Sequence, residues 1–93
     1  MSEDTIINKF GEHFAKKYEL KEFSQIVKEI EKLLLEHPES EFGWSILGNS
    51  YYSLGNFQKA IKSFEQEITI GNKDNYLPYY NMVRSYEQLK DNE

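Results

Sequence analysis

The chain has 93 residues, 39% of them aliphatic or aromatic, with a formal net charge of −5 and no cysteine. That length holds one domain with a modest core; the acidic balance leaves no basic patch for nucleic acid, and the missing cysteine excludes disulfides and thiolate metal sites. The longest apolar run, Leu33-Leu34-Leu35, is far too short for a membrane span, and Met1-Ser2-Glu3-Asp4 lacks the basic and apolar regions of a signal peptide, so the expectation is a soluble, cytoplasmic protein with no membrane partner.

Ser2 to about Tyr18 is expected as the first helix, with Ser2 as N-cap and Glu3 and Asp4 at the positive end of the helix dipole. Phe23 to about Glu36 forms the second, burying Ile26, Val27, Ile30, Leu33 and Leu34. His37-Pro38 ends it, because proline disfavours a helical residue before it. From about Ser40 to Gly71 the chain reads as a helical hairpin. Trp44, Leu47, Tyr51 and Leu54 fall at i, i+3, i+7 and i+10 on one stripe. Gly48 lies on the same stripe, where a missing Cβ admits a close neighbour; Trp44 and Gly48 are read as the knob and the hollow that set the helix spacing. Gly55-Asn56 stops this helix. Phe57, Ala60, Ile61, Phe64 and Ile68 then restart a stripe, and 71–75 is a polar loop. Tyr76 to Glu93 is the last segment, with Pro78 in its first turn.

The pattern repeats internally. Leu20-Lys21-Glu22-Phe23 matches Leu54-Gly55-Asn56-Phe57 at an offset of 34 residues. Ile7, Phe10, Gly11 and Phe14 repeat the spacing of Trp44, Leu47, Gly48 and Tyr51, but three residues out of that register. The first helix is then either nearly one turn longer than its counterpart, or packs through Phe10, His13 and Phe14. The longer helix keeps Gly11 at the close crossing and is the preferred reading. Tyr79, Met82, Val83, Tyr86 and Leu89 repeat the Trp44 stripe once more at an offset of 35.

Trp44-x-x-Leu47-Gly48-x-x-Tyr51 followed by Ala60-x-x-x-Phe64 resembles a tetratricopeptide repeat. Pro38 stands where that family closes a repeat; Glu67 stands in place of a small residue and Asn72 in place of a proline. Glu67 is expected to loosen packing onto the next repeat. The resemblance implies an all-α fold, a short right-handed superhelix of antiparallel helix hairpins. It comprises about two and a half repeats and five helices in a single domain: repeat one over about 5–38, repeat two over about 41–74, a terminal half-repeat over about 76–92.

The resemblance also implies a non-catalytic module whose concave groove, lined by the first helix of each repeat, receives a peptide or partner helix. Groove positions are those that miss the core stripe: Phe42, Ser45, Ile46, Asn49, Tyr52 and Ser53, then Leu77, Tyr80, Asn81, Arg84 and Gln88. Asn49 and Asn81 occupy family positions where an amide, which both donates and accepts, meets a peptide backbone. Tyr52 and Tyr80 add flat apolar area with a polar tip, and Arg84 offers a two-pronged contact to a carboxylate. The clamp by which one subclass holds a terminal carboxylate is incomplete, since Ser45 replaces its first lysine.

A second reading rests on Tyr79, Met82, Val83 and Tyr86, a broad apolar face suited to homo-oligomer formation or docking in a larger assembly. Its plain alternative is that Leu89 and both tyrosines cover the preceding helix. Catalytic constellations are thin. His13 and His37 have no ligand spacing, serines 45, 50, 53 and 63 have no His–Asp partner, and no Gly-rich phosphate loop exists. No enzyme activity, cofactor or metal is expected.

Overall fold

The computed structural model describes residues 1–91 and contains five helices: α1 (Glu3–Glu19), α2 (Phe23–Glu36), α3 (Glu41–Ser53), α4 (Phe57–Ile70) and α5 (Leu77–Asp91). No strand occurs among the described residues. Residue 92, to which the last helix was expected to run, lies outside them. The helices pack in sequence order, α2 on α3, α3 on α4 and α4 on α5. α1 rests more lightly on both α2 and α3, and α5 also reaches α3. The molecule measures 41 × 30 × 20 Å.

Three of the five helices, α1, α3 and α4, start where a short polar side chain replaces a missing backbone partner, whereas α2 starts at Glu22 without one. Ser2 accepts from the Thr5 N–H at 3.2 Å, Ser40 from Gly43 at 3.0 Å and Asn56 from Lys59 at 3.3 Å. The α1–α2 and α3–α4 turns use the same backbone bonds 34 residues apart. Leu20, Lys21 and Glu22 donate to the carbonyls of Lys16, Tyr18 and Lys17; Leu54, Gly55 and Asn56 donate to those of Ser50, Tyr52 and Tyr51. The bend needs one left-handed residue. Gly55 supplies it at φ 81°, Lys21 at φ 59°.

The hollow at Gly48 is real, but its knob is Phe64. A Cβ on Gly48 would lie 2.5 Å from Phe64 Cε1, and the Phe64 side chain is wholly buried. Trp44 instead lies half-buried, donating Nε1–H to the Pro38 carbonyl at 2.7 Å. One repeat earlier the sizes are exchanged. Phe14 stands 34 residues before Gly48 and Ile30 the same distance before Phe64, and both join Ile26, Val27, Leu34 and Leu47 in the main core. A ring on α1 fills the space that the Phe64 ring fills from α4, which is why α1 sits back from α2.

Gly11 makes no close crossing. A Cβ there would touch only Ile7 of its own helix, at 3.6 Å, and Ile7 is exposed. α1 is indeed about one turn longer than α3, 17 residues against 13, yet it packs through Ile6, Phe10 and Phe14. His13 stays outside, with Nε2 3.3 Å from the Glu29 carboxylate. The extra turn is held at its start by Glu3, whose Oε1 accepts from the Phe42 N–H at 2.6 Å and from Ser40 Oγ at 3.3 Å. That tie across to the first turn of α3 helps fix which stripe of α1 faces inward.

Candidate functional site

The face of α3 that misses its core stripe runs from Glu41 through Ser45 and Asn49 to Tyr52, flanked by Phe42, Ile46 and Ser53. Helices α1 and α5 both touch α3, and this face is the expected groove, or trough. At one end Arg84 of α5 lies over the Tyr52 ring, 4.6 Å from its centroid, and 5.7 Å from that of Tyr80. Tyr52 is steadied in turn by an edge contact with Phe57, centroids 5.2 Å apart. A guanidinium stacked on rings keeps its N–H edge free for a carboxylate or carbonyl while its apolar faces are covered. Three expected groove residues, 52, 80 and 84, therefore come together from two helices.

The asparagines are less open than expected. Asn49 Nδ2 donates to the Ser45 carbonyl of its own helix at 2.9 Å, so one of its two N–H donors is taken within the helix, leaving the other and the oxygen. Asn81 is half-buried, as are Ser45 and Gln88, and Leu77 is half-exposed. Ser53 Oγ lies 3.4 Å from the Tyr18 hydroxyl, which ties the end of α1 to α3.

The other end of the trough is acidic. An open cleft of about 260 Å³ is lined by Glu3 and Ile7 of α1, Glu41, Phe42, Ser45 and Ile46 of α3, and Glu67 of α4. Glu41 Oε1 accepts from the Asn72 N–H at 3.1 Å. Glu67 is only 6% exposed, and its Oε1 has no hydrogen-bond partner. Burial, and then the nearby Glu41 charge, pushes its carboxyl up to about 7. The sequence reading of Glu67 as a packing irregularity missed this cleft; the signal was an acid where the resemblance implies a small residue.

On α5 the buried residues are Pro78 and Ser85, with Met82 and Leu89 half-buried beside them. Tyr79, Val83 and Tyr86 are 45%, 55% and 53% exposed. Three of the four residues assigned to self-association therefore keep about half of their surface open, while Met82 is half-buried. Among the described residues no group of three or more His, Cys, Asp or Glu is arranged to hold a metal ion, and no helix is long and apolar enough to cross a membrane. The chain matches no known family model and no curated protein.

Proposed function

We propose that the chain is a protein-interaction module of tetratricopeptide-like design, a short right-handed superhelix that binds an extended peptide or a partner helix along the α3 trough and performs no catalysis. The observation that supports this reading is the approach of Arg84 to the Tyr52 and Tyr80 rings, which brings together expected groove residues from two helices far apart in sequence. The 34-residue recurrence of the turn bonds supports the repeat design. The net charge of −5 disfavours nucleic acid as the partner. Panning a displayed peptide library against the chain tests the proposal. Enriched peptides should lose about tenfold in affinity on Tyr52→Ala or Arg84→Ala and nothing on Lys28→Ala, an exposed residue of α2. Peptides indifferent to both groove substitutions would remove it.

The half-exposed Tyr79, Val83 and Tyr86 favour a second reading, self-association through α5. Sedimentation across a concentration series should then show a multiple of 11.1 kDa that Val83→Glu abolishes. A strict monomer would dismiss this reading.

A further inference from the structure

We infer that the cleft between the first turns of α1 and α3 and the last turn of α4 takes one guanidinium or ammonium group from the bound partner, so that the trough selects basic peptides. The inference rests on the groove reading above and adds the charge of the ligand.

Three carboxylates, Glu3, Glu41 and Glu67, line the cleft, and none of its lining residues is lysine, arginine or histidine. Crowded acids alone define nothing, since most such clusters are simply hydrated. Glu67 is different: it is the one buried residue in the lining, and its Oε1 has no partner. An unpaired buried carboxyl is held at a penalty that a cationic donor removes, gaining a charge-assisted hydrogen bond as it does so. Glu3 and Glu41 already accept backbone N–H groups through their Oε1 atoms. They are thereby held in place, leaving charge directed at the cleft rather than a set of free ligands for a metal. Ile7, Phe42 and Ile46 supply an apolar collar for the methylene stem of lysine or arginine.

The cleft also sets a spacing. Glu41 and Tyr52 are eleven residues apart on α3, about 16 Å along the helix axis, which an extended peptide covers in about five residues. A partner with a basic side chain in the cleft would therefore present a carboxylate or carbonyl to Arg84 about five residues away.

Because the Glu67 carboxyl sits at about 7, cation binding draws off its proton. Glu41 from α3 and Glu3 from α1 are the other titratable groups facing it, and no charged residue of α5 lines the cleft. The competent, ionised fraction rises about tenfold from pH 6 to pH 8, and affinity rises with it.

The test titrates the ¹⁵N-labelled chain with Nα-acetyl-arginine amide, Nα-acetyl-lysine amide and the neutral Nα-acetyl-citrulline amide. The arginine and lysine probes should give saturable shifts at the amides of Phe42, Ser45 and Asn72, tighter at pH 8 by about tenfold, whereas citrulline should give none. Glu67→Gln, close in shape, should weaken both by about tenfold and erase the pH dependence; Glu67→Ala, which restores a small residue, should do the same. Equal binding of arginine amide by Glu67→Gln, or shifts of the same amides by citrulline, would overturn the inference. If library peptides still depend on Tyr52 and Arg84 in that event, the cleft assignment alone falls. If they do not, the groove reading falls with it.

Discussion

Replacing Glu67 with glutamine should stabilise the protein at alkaline pH and leave it nearly unchanged in acid. The carboxyl rises from 4.5 to about 7 on folding, because its burial and the Glu41 charge disfavour the anion. Below pH 4.5 the folded and unfolded chains both hold the proton. Between pH 4.5 and pH 7 the unfolded chain has released it and the folded one has not, so stability falls as pH rises. Above pH 7 the loss levels off. At ~1.4 kcal/mol per decade of acidity, this bounds the loss at about 3 kcal/mol, a large share of what a domain this small possesses. Glutamine has no such titration. Urea unfolding, followed by Trp44 fluorescence and far-ultraviolet circular dichroism, measures the difference. With a slope of about 1 kcal/mol per molar urea, the variant midpoint should exceed the parent's by up to about 3 M at pH 8 and by little at pH 5. A gap of the same size at both pH values would refute the argument, since a pH-independent gain would come from packing rather than from a buried charge.

Gly48→Ala should destabilise the chain by about 1–3 kcal/mol despite alanine's better helix propensity, since its Cβ meets the Phe64 ring at 2.5 Å; urea denaturation should show Phe64→Leu relieving part of this loss in the double variant. Ser40→Ala, which removes the cap on the Gly43 N–H and the partner of Glu3, should lower the unfolding free energy by about 1–2 kcal/mol. Lys21→Gly should raise the thermal midpoint, with a gain of about 1 kcal/mol from relieving a left-handed lysine, while Gly55→Ala should lower it by a similar amount at the equivalent turn.

The second hairpin was legible because its signals are local. Gly55 marks the turn, and Gly48 and Phe64 occupy stripes that face each other once the turn is made. α1 was ambiguous because Phe10 and Phe14 belong both to the stripe containing Ile7 and Gly11 and to the one containing His13, and the structure uses neither flank but Ile6. The inward face is set by contacts distant in sequence, among them the bond from Glu3 to the start of α3, 39 residues away. At the candidate site, helical periodicity alone places Tyr52, Tyr80 and Arg84 on trough-facing positions. Their stacking, and the approach of Glu41 to Glu67, depend on how neighbouring helices settle, which no local pattern encodes. Asn49 shows the reverse: its face was read correctly, but its amide turns back to the Ser45 carbonyl of its own helix.

The terminal helix is fastened by Pro78 and Ser85, its least bulky contacts, while its aromatic rings stand outside. α5 packs chiefly on α4 and reaches α3 only lightly. Tyr80 and Arg84 belong to α5 while Tyr52 belongs to α3, so how α5 seats on α4 sets the geometry of their cluster.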